Sequence, residues 1–243
     1  MNVVAVIPAR WASTRFPGKP LQAISGKAMV HHVWDQSSKA KSVDQVLIAT
    51  DDQRIADYCD AEGLKYVMTR DDHPTGSDRL AEVATKYPAD VYVNVQGDEP
   101  LIEPESIDAV GRCLLDNLDR NIEVSTGYID EAADDQLDNP SVVHLAPTLD
   151  GCVLSLSRFP IPFPMVETTQ RTVHVGLYAF TGAALKRYSK WDRGPIERAE
   201  SIEILRFMER GERIACVPVA PGSIGVDTPE DLAAVEAILG DKA

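Results

Sequence analysis

The sequence predicts an α/β fold with a mostly parallel sheet, Rossmann-like in layout. Three features carry that expectation. Short apolar runs alternate with stretches of helical periodicity, the connections between them are brief, and the first runs are apolar on both faces, as strands covered by helices on two sides must be. Val3–Ile7 is such a run, and it opens the chain.

Each later element has its own warrant. Lys27–Ala40 carries Met29, Val30, Val33 and Trp34 at helical spacing. Gln45–Thr50 reads as a strand ending at Asp51-Asp52, acids suited to start a helix over Gln53–Glu62 that stops at Gly63. Lys65–Thr69 is a third strand; Ser77 is the expected cap of a helix over Asp78–Lys86; Val91–Gln96 is a fourth strand and Glu103–Asn117 a helix. Ligands of such sheets gather at the carboxyl ends of the strands, so the segments after Ile7, Thr50, Thr69 and Gln96 are expected to line one cleft. The second half is less regular. Arg158–Pro164 reads RFPIPFP, whose three prolines exclude a helix. Thr172–Phe180 and Ile214–Val217 read as strands, Glu197–Arg210 as one helix, and Thr228–Leu239 as a last helix with Pro229 in its first position. No repeat or linker interrupts the chain, so residues 1–243 are expected to form one domain with a projecting subregion for substrate or dimer contacts.

Bulk properties narrow the function. The 243 residues are 44% hydrophobic and carry a net charge of −14, which argues against a nucleic-acid or anionic-membrane surface. No apolar run reaches membrane-spanning length, and MNVVAVIPAR lacks the regions of a signal peptide, so a cytoplasmic location is expected. Cys59, Cys113, Cys152 and Cys216 form no CxxC pair, which disfavours zinc and suits reduced thiols. The charge is uneven. No acid precedes Asp35, where average composition would place about five, yet Arg10, Arg15, Lys19 and Lys27 all fall there. An acidic chain with one purely cationic segment is expected to bind an anion at it.

Four segments carry chemistry. IPARWASTRFPGKPL, from Ile7 to Leu21, follows a strand and offers backbone donors and fixed cations to a polyphosphate. It is neither a Walker A loop nor a GxGxxG turn, which disfavours ATPase and dehydrogenase readings. NVQGDEP places Asp98 just past a buried strand, either as part of a tight turn or as a ligand for a hard cation. In GVDTPEDL, Asp227 is either a helix cap or a second such ligand. DDHPTGSDRLAEV, from Asp71, is either a capped helix start or a loop whose backbone approaches a flat base.

Together these segments resemble the 3-deoxy-manno-octulosonate (Kdo) cytidylyltransferases. The resemblance lies in IPARWASTRFPGKPL, ATDD at Ala49, HPTGSDRLAEV at His73, NVQGDEP and GVDTPEDL, with weaker echoes in LSRFPIPF, HVGLY and PIERAESIEILR, and it spans nearly the whole chain. It implies a Rossmann-like nucleotidyltransferase, usually dimeric, that makes CMP-Kdo from CTP and Kdo for lipopolysaccharide or capsule. It also implies roles. Pro8, Ala9, Arg10, Arg15 and Lys19 would hold the nucleotide; Gly76, Ser77 and Arg79 would border the cytosine; Asp98 and Asp227 would bind Mg2+, with Lys19, Arg10 and both aspartates as the catalytic set. Gln96, Arg158, His174, Tyr178 and Glu203 match positions lining the family's sugar pocket, with Arg158 suited to the sugar carboxylate.

The sequence departs from the family at His144, Ser155, Leu156, Phe180 and Ile204. Ile204 stands where Gln is common, directly after Glu203, and is expected to alter contacts near one sugar hydroxyl. Activation of another acidic sugar, such as an amino-Kdo or a nonulosonate, and a nucleotide-binding regulatory module are the competing readings.

Overall fold

The computed structural model describes residues 1–12, 16–131, 139, 141–163, 165, 171–221 and 225–240. The first half comprises β1 (Val3–Ala9), β2 (Ala23–Ile24), β3 (Lys27–Ala28), α1 (Met29–Lys39), β4 (Gln45–Thr50), α2 (Gln53–Glu62), β5 (Tyr66–Met68), α3 (Gly76–Lys86), β6 (Val91–Asn94) and α4 (Pro104–Leu115). The second half comprises β7 (Val124–Glu131), β8 (His144–Pro147), β9 (Val153–Ser157), β10 (Arg171–Thr181), α5 (Gly182–Tyr188), α6 (Pro195–Glu200), α7 (Leu205–Met208), β11 (Ala215–Pro218) and α8 (Pro229–Gly240).

The main sheet runs β11-β7-β10-β6-β1-β4-β5. It is parallel from β6 through β1 and β4 to β5, and again between β7 and β11; β10 joins antiparallel to both β6 and β7. The period of two explains why β1 is apolar throughout. Val3, Ala5, Ile7 and Ala9 pack with Val30, Val33, Ile55, Ile107 and Val110 of α1, α2 and α4 on one face. Val4 and Val6 pack with Leu80, Val83, Leu185 and Phe207 of α3, α5 and α7 on the other. The pairing of β10 with β6 is confined to Tyr178–Thr181; the first half of β10 stays paired with β7, with a register shift between Val175 and Tyr178, and takes β8 antiparallel on its other edge, with β9 antiparallel to β8.

Local chemistry sets the element ends. Asp52 caps α2 by accepting the Arg54 N–H at 2.9 Å, and Gly63 ends it in the left-handed region at φ 69°. Thr228 and Asp231 cap α8 reciprocally, each accepting the other's backbone N–H. Two expectations need correction. Thr75, not Ser77, caps α3: its hydroxyl accepts the Asp78 N–H at 3.1 Å, so the helix starts at Gly76. The stretch Glu197–Arg210 is not one helix. α6 ends at Ser201, which takes φ 53°, and α7 restarts at Leu205. Glu197, Glu200 and Glu203 therefore do not form a stripe on one helix face.

Candidate active site

The carboxyl ends of β1 and β6 open onto a cleft of about 380 Å³. Pro8, Ala9 and Arg10 leave β1 on one wall, and Gln96, Gly97 and Asp98 leave β6 beside them. The two turns can approach because residue 97 is glycine: a Cβ there would stand 2.5 Å from the Pro8 carbonyl oxygen, inside any permissible contact. The β5–α3 loop, with His73 and Thr75, and the amino end of α3, with Gly76 and Arg79, supply a third side, and Arg193, Glu197, Ser201 and Glu203 close the far end.

The mouth is charged. Lys19 follows Gly18, whose φ of 70° turns the chain into a short 3-10 helix over Lys19–Leu21. Its ammonium donates to Asp98 Oδ2 at 2.7 Å and to Asp227 Oδ1 at 3.0 Å. The Val226 N–H donates to the Asp98 carbonyl at 2.9 Å, which ties the two aspartate segments together although 129 positions separate Asp98 from Asp227. Two carboxylates turned onto one cation form a donor set suited to a hard divalent ion, with phosphate and water completing the shell. Among the described residues no third His, Cys, Asp or Glu joins them.

The inner end is built from buried ion pairs. The Glu203 carboxylate accepts the N–H groups of Gly76 at 3.1 Å and Ser77 at 2.9 Å, holding the amino end of α3 from outside the helix. Burial pushes the Glu203 carboxyl up from its ordinary value against the pull of those donors. Arg206, 2% exposed, donates to both oxygens of Glu197 at 2.7 Å and to Asp78 at 2.7 and 3.1 Å, with its guanidinium 3.8 Å above the Tyr188 ring. α6, α7 and the amino end of α3 are thus one braced unit. The His73 ring contacts the Glu82 carboxylate. Burial pushes that carboxyl up, but Lys86, the Arg70 N–H and His73 outweigh it and hold it at about 2.

Of the expected site residues, Pro8, Ala9, Arg10, Lys19, Gly76, Arg79, Gln96, Asp98, Glu203 and Asp227 all line this cleft. Arg15 lies outside the described residues. Ser77 is fully buried beneath the loop. Arg79 is 3% exposed and braces the neighbouring strand ends, with donors to Thr69 and to Asp51 at 2.9 Å. Arg158, His174 and Tyr178 stand outside the cleft lining, in a cluster of their own. The Arg158 Nε donates to the Glu200 carbonyl at 2.6 Å. His174 stacks on Tyr178 with ring centres 5.5 Å apart and shares a 2.9 Å hydrogen bond with Thr126. Burial, with nearby Arg158 adding, lowers the His174 pKa to about 3, so the ring is neutral at physiological pH. Burial, then Glu203 and Glu99, raise the Tyr178 pKa well above its ordinary value. Gln96 joins the two groups, because Gly176 leaves room for its side chain: a Cβ at residue 176 would lie 3.3 Å from Gln96 Cγ.

Ile204 is fully buried in the core with Leu205 and Phe207, which corrects the expectation that it touches a sugar hydroxyl. His144, Leu156 and Phe180 are buried in the sheet, and none of the five departures lines the cleft. Sequence reasoning missed Arg193, Glu197 and Ser201, while Pro20, His73, Thr75 and Gly97 fall in segments it singled out without giving them roles of their own. Thr75 had a signal, the T-x-x-D capping pattern ending at Asp78. Arg193 and Glu197 had none, since only the tertiary fold brings them to the cleft.

A family profile described as cytidylyltransferase matches residues 4–214. The 3-deoxy-manno-octulosonate cytidylyltransferase of Geobacter sulfurreducens is 43% identical over 244 residues, covering 96% of this chain and 97% of its own. That of Photobacterium profundum is 42% identical, covering 99% and 100%. The chain belongs to the 3-deoxy-manno-octulosonate cytidylyltransferase family. A solved family structure, CMP:2-keto-3-deoxy-manno-octonic acid synthetase complexed with CTP, superposes with a TM-score of 0.95 at 39% identity over 100% of both chains. A cytidylyltransferase from Leptospira borgpetersenii, 19% identical, shares the fold with a TM-score of 0.68, covering 99% of this chain and 87% of its own.

Proposed function

We propose that this protein transfers CMP from CTP to 3-deoxy-manno-octulosonate, releasing pyrophosphate. The observation that carries the proposal is the Lys19 ammonium held between Asp98 and Asp227 at the mouth of a cleft walled by Pro8–Arg10 and Gly76. The sugar's anomeric hydroxyl gives up its proton to solvent as its oxygen attacks the α-phosphorus in line, the bond to the bridging oxygen breaks, and pyrophosphate leaves. The protein's task is placement and charge compensation. Arg10 and Lys19 face the phosphates, and Lys19 follows the charge that grows on the leaving group. The β5–α3 loop, held in place by Glu203, presents backbone to the cytosine. The cluster of Gln96, Arg158, His174 and Tyr178 takes the sugar, with a neutral His174 orienting hydroxyls.

Mg2+ belongs to the same proposal, with Asp98 and Asp227 as its protein ligands; when bound, it neutralises phosphate charge. A homodimer is proposed on the exposed apolar side chains Leu154, Phe159, Phe163 and Met165, and light scattering reads it directly. A cytoplasmic site of action is supported by four free cysteines; no helix among the described residues is long and apolar enough to cross a membrane. The deciding experiment is a pyrophosphate-release screen of four nucleoside triphosphates against Kdo, an amino-Kdo and a nonulosonate. Turnover with CTP and Kdo above all other pairs is expected. Preference for another nucleotide overturns the reading, and preference for another sugar moves the substrate.

A further inference from the structure

Arg10 and Lys19 both line the cleft, and something must fix where Lys19 stands. The Gly18 N–H donates to the Trp11 carbonyl at 3.1 Å, which ties the residue after Arg10 to the residue before Lys19. The Trp11 indole lies against Gly18 so closely that a Cβ there would stand 2.9 Å from Cη2 of the ring. Gly18 is also in the left-handed region, so any side chain is refused twice. The Arg54 guanidinium sits 3.6 Å from the centroid of the same ring. Arg54 is itself held, with Nε and Nη2 donating to the two Asp52 oxygens at 2.8 and 2.7 Å, while Asp52 caps α2. A continuous line of contacts therefore runs from the amino end of α2 through Arg54 and Trp11 to the residue before Lys19.

We propose that Trp11 is a positioning residue: clamped by Arg54 and seated on Gly18, its indole sets where Lys19 and Arg10 stand relative to the nucleotide phosphates. The inference rests on the proposed function for the phosphates but not for the sugar. The stack is half exposed and contributes little to global stability. Its effect lies in geometry, since a displacement of about 1 Å in a charge-stabilising group costs on the order of 100-fold in rate.

The test compares Trp11→Phe, Trp11→Ala and Arg54→Gln with the wild type. Trp11→Ala is expected to lower kcat/KM for CTP about 30- to 100-fold, mostly in kcat. Trp11→Phe keeps a ring for both contacts and is expected to stay within about threefold. Arg54→Gln, at an exposed position that leaves the fold intact, is expected to cost about three- to tenfold. Full activity in Trp11→Ala, or no rescue by Phe, overturns the proposal. Equilibrium nucleotide binding separates this failure from that of the assigned reaction: a wild type that binds a nucleoside triphosphate without turning over any keto sugar acid refutes the reaction, while about threefold weaker binding by Trp11→Ala still supports the clamp. A spectroscopic arm covers a Trp11→Ala that does not fold. With Trp34→Phe and Trp191→Phe, Trp11 is the sole tryptophan. Its emission is expected to change on nucleotide addition, and the change to shrink in Arg54→Gln; an emission indifferent to both refutes the clamp.

Discussion

Replacing Lys19 with Met separates two roles that the cleft mouth combines. The substitution keeps most of the side chain's volume and removes one charge shared by two carboxylates. The Asp98 and Asp227 oxygens each lie within 3.0 Å of the Lys19 nitrogen, so they are less than about 6 Å apart. Without the ammonium, two anions at that distance repel by about 1–3 kcal/mol at an effective dielectric of 20–40. The side chains are 34% and 41% exposed, so the lower end applies. About 1 kcal/mol corresponds to roughly fivefold tighter binding of a divalent ion in the variant. Turnover should move the opposite way. Losing a donor aimed at charge that grows in the transition state costs on the order of 100- to 1000-fold in kcat, with a smaller change in KM for CTP. Steady-state kinetics and Mg2+ titration by thermal shift measure both quantities. An unchanged kcat with raised KM would make Lys19 a uniform phosphate binder, and an unchanged Mg2+ response would refute the shared-cation geometry.

Four further outcomes are expected. Asp98→Asn and Asp227→Asn each remove most turnover while leaving the melting temperature within a few degrees, and activity in a chelator would contradict their assignment. CTP is preferred to UTP by at least about tenfold in kcat/KM, because a base edge matched to one pyrimidine leaves polar groups unpaired with the other; equal rates would refute a defined cytosine edge. Gly97→Ala forces the β1 and β6 turns apart and costs about 1–3 kcal/mol in urea unfolding together with activity, whereas unchanged stability would show that the turn yields freely. Glu82→Gln tests pH linkage. The folded-state pKa is depressed from 4.5 to about 2, so this carboxylate stabilises the fold above pH 4.5 and loses that contribution as pH falls toward 2. The stability gap between wild type and variant should close across that window, and a gap independent of pH would contradict it.

The first half of the fold was legible because each element there follows a local rule. β4 and α2 match their expected spans, Gln45–Thr50 and Gln53–Glu62, since a buried strand, an Asp cap and a terminal glycine suffice to define them. The cation-rich segment, Asp98 and Asp227 were legible as candidates for a different reason. Acids and bases just past strand ends have few structural tasks at a cleft edge, so their chemistry stands out. Legibility stopped where burial decides. Arg79 and Ser77 sit at the amino end of α3 beside the cleft, but whether a side chain faces the cleft or braces the strand behind it depends on the packing of β4 and β5, which periodicity does not encode.

The break between α6 and α7 is the sharpest case. ERAESIEILR contains neither glycine nor proline, and every local preference favours a continuous helix. Instead Ser201 takes a left-handed conformation that costs about 1–2 kcal/mol in a residue with a Cβ. The return is tertiary. The turn aims Glu203 at two backbone N–H groups of α3 and lets Arg206 reach both Glu197 and Asp78. Charge-assisted hydrogen bonds contribute about 1.5–3 kcal/mol each, so even two of them outweigh the strain. A continuous helix would instead keep Glu203 on the same surface as Glu200 and leave the amino end of α3 without its outer carboxylate. The irregular backbone is therefore what joins the β5–α3 loop to the far end of the cleft, and its contacts to Gly76, Ser77 and Asp78 lie more than 120 positions away in the chain.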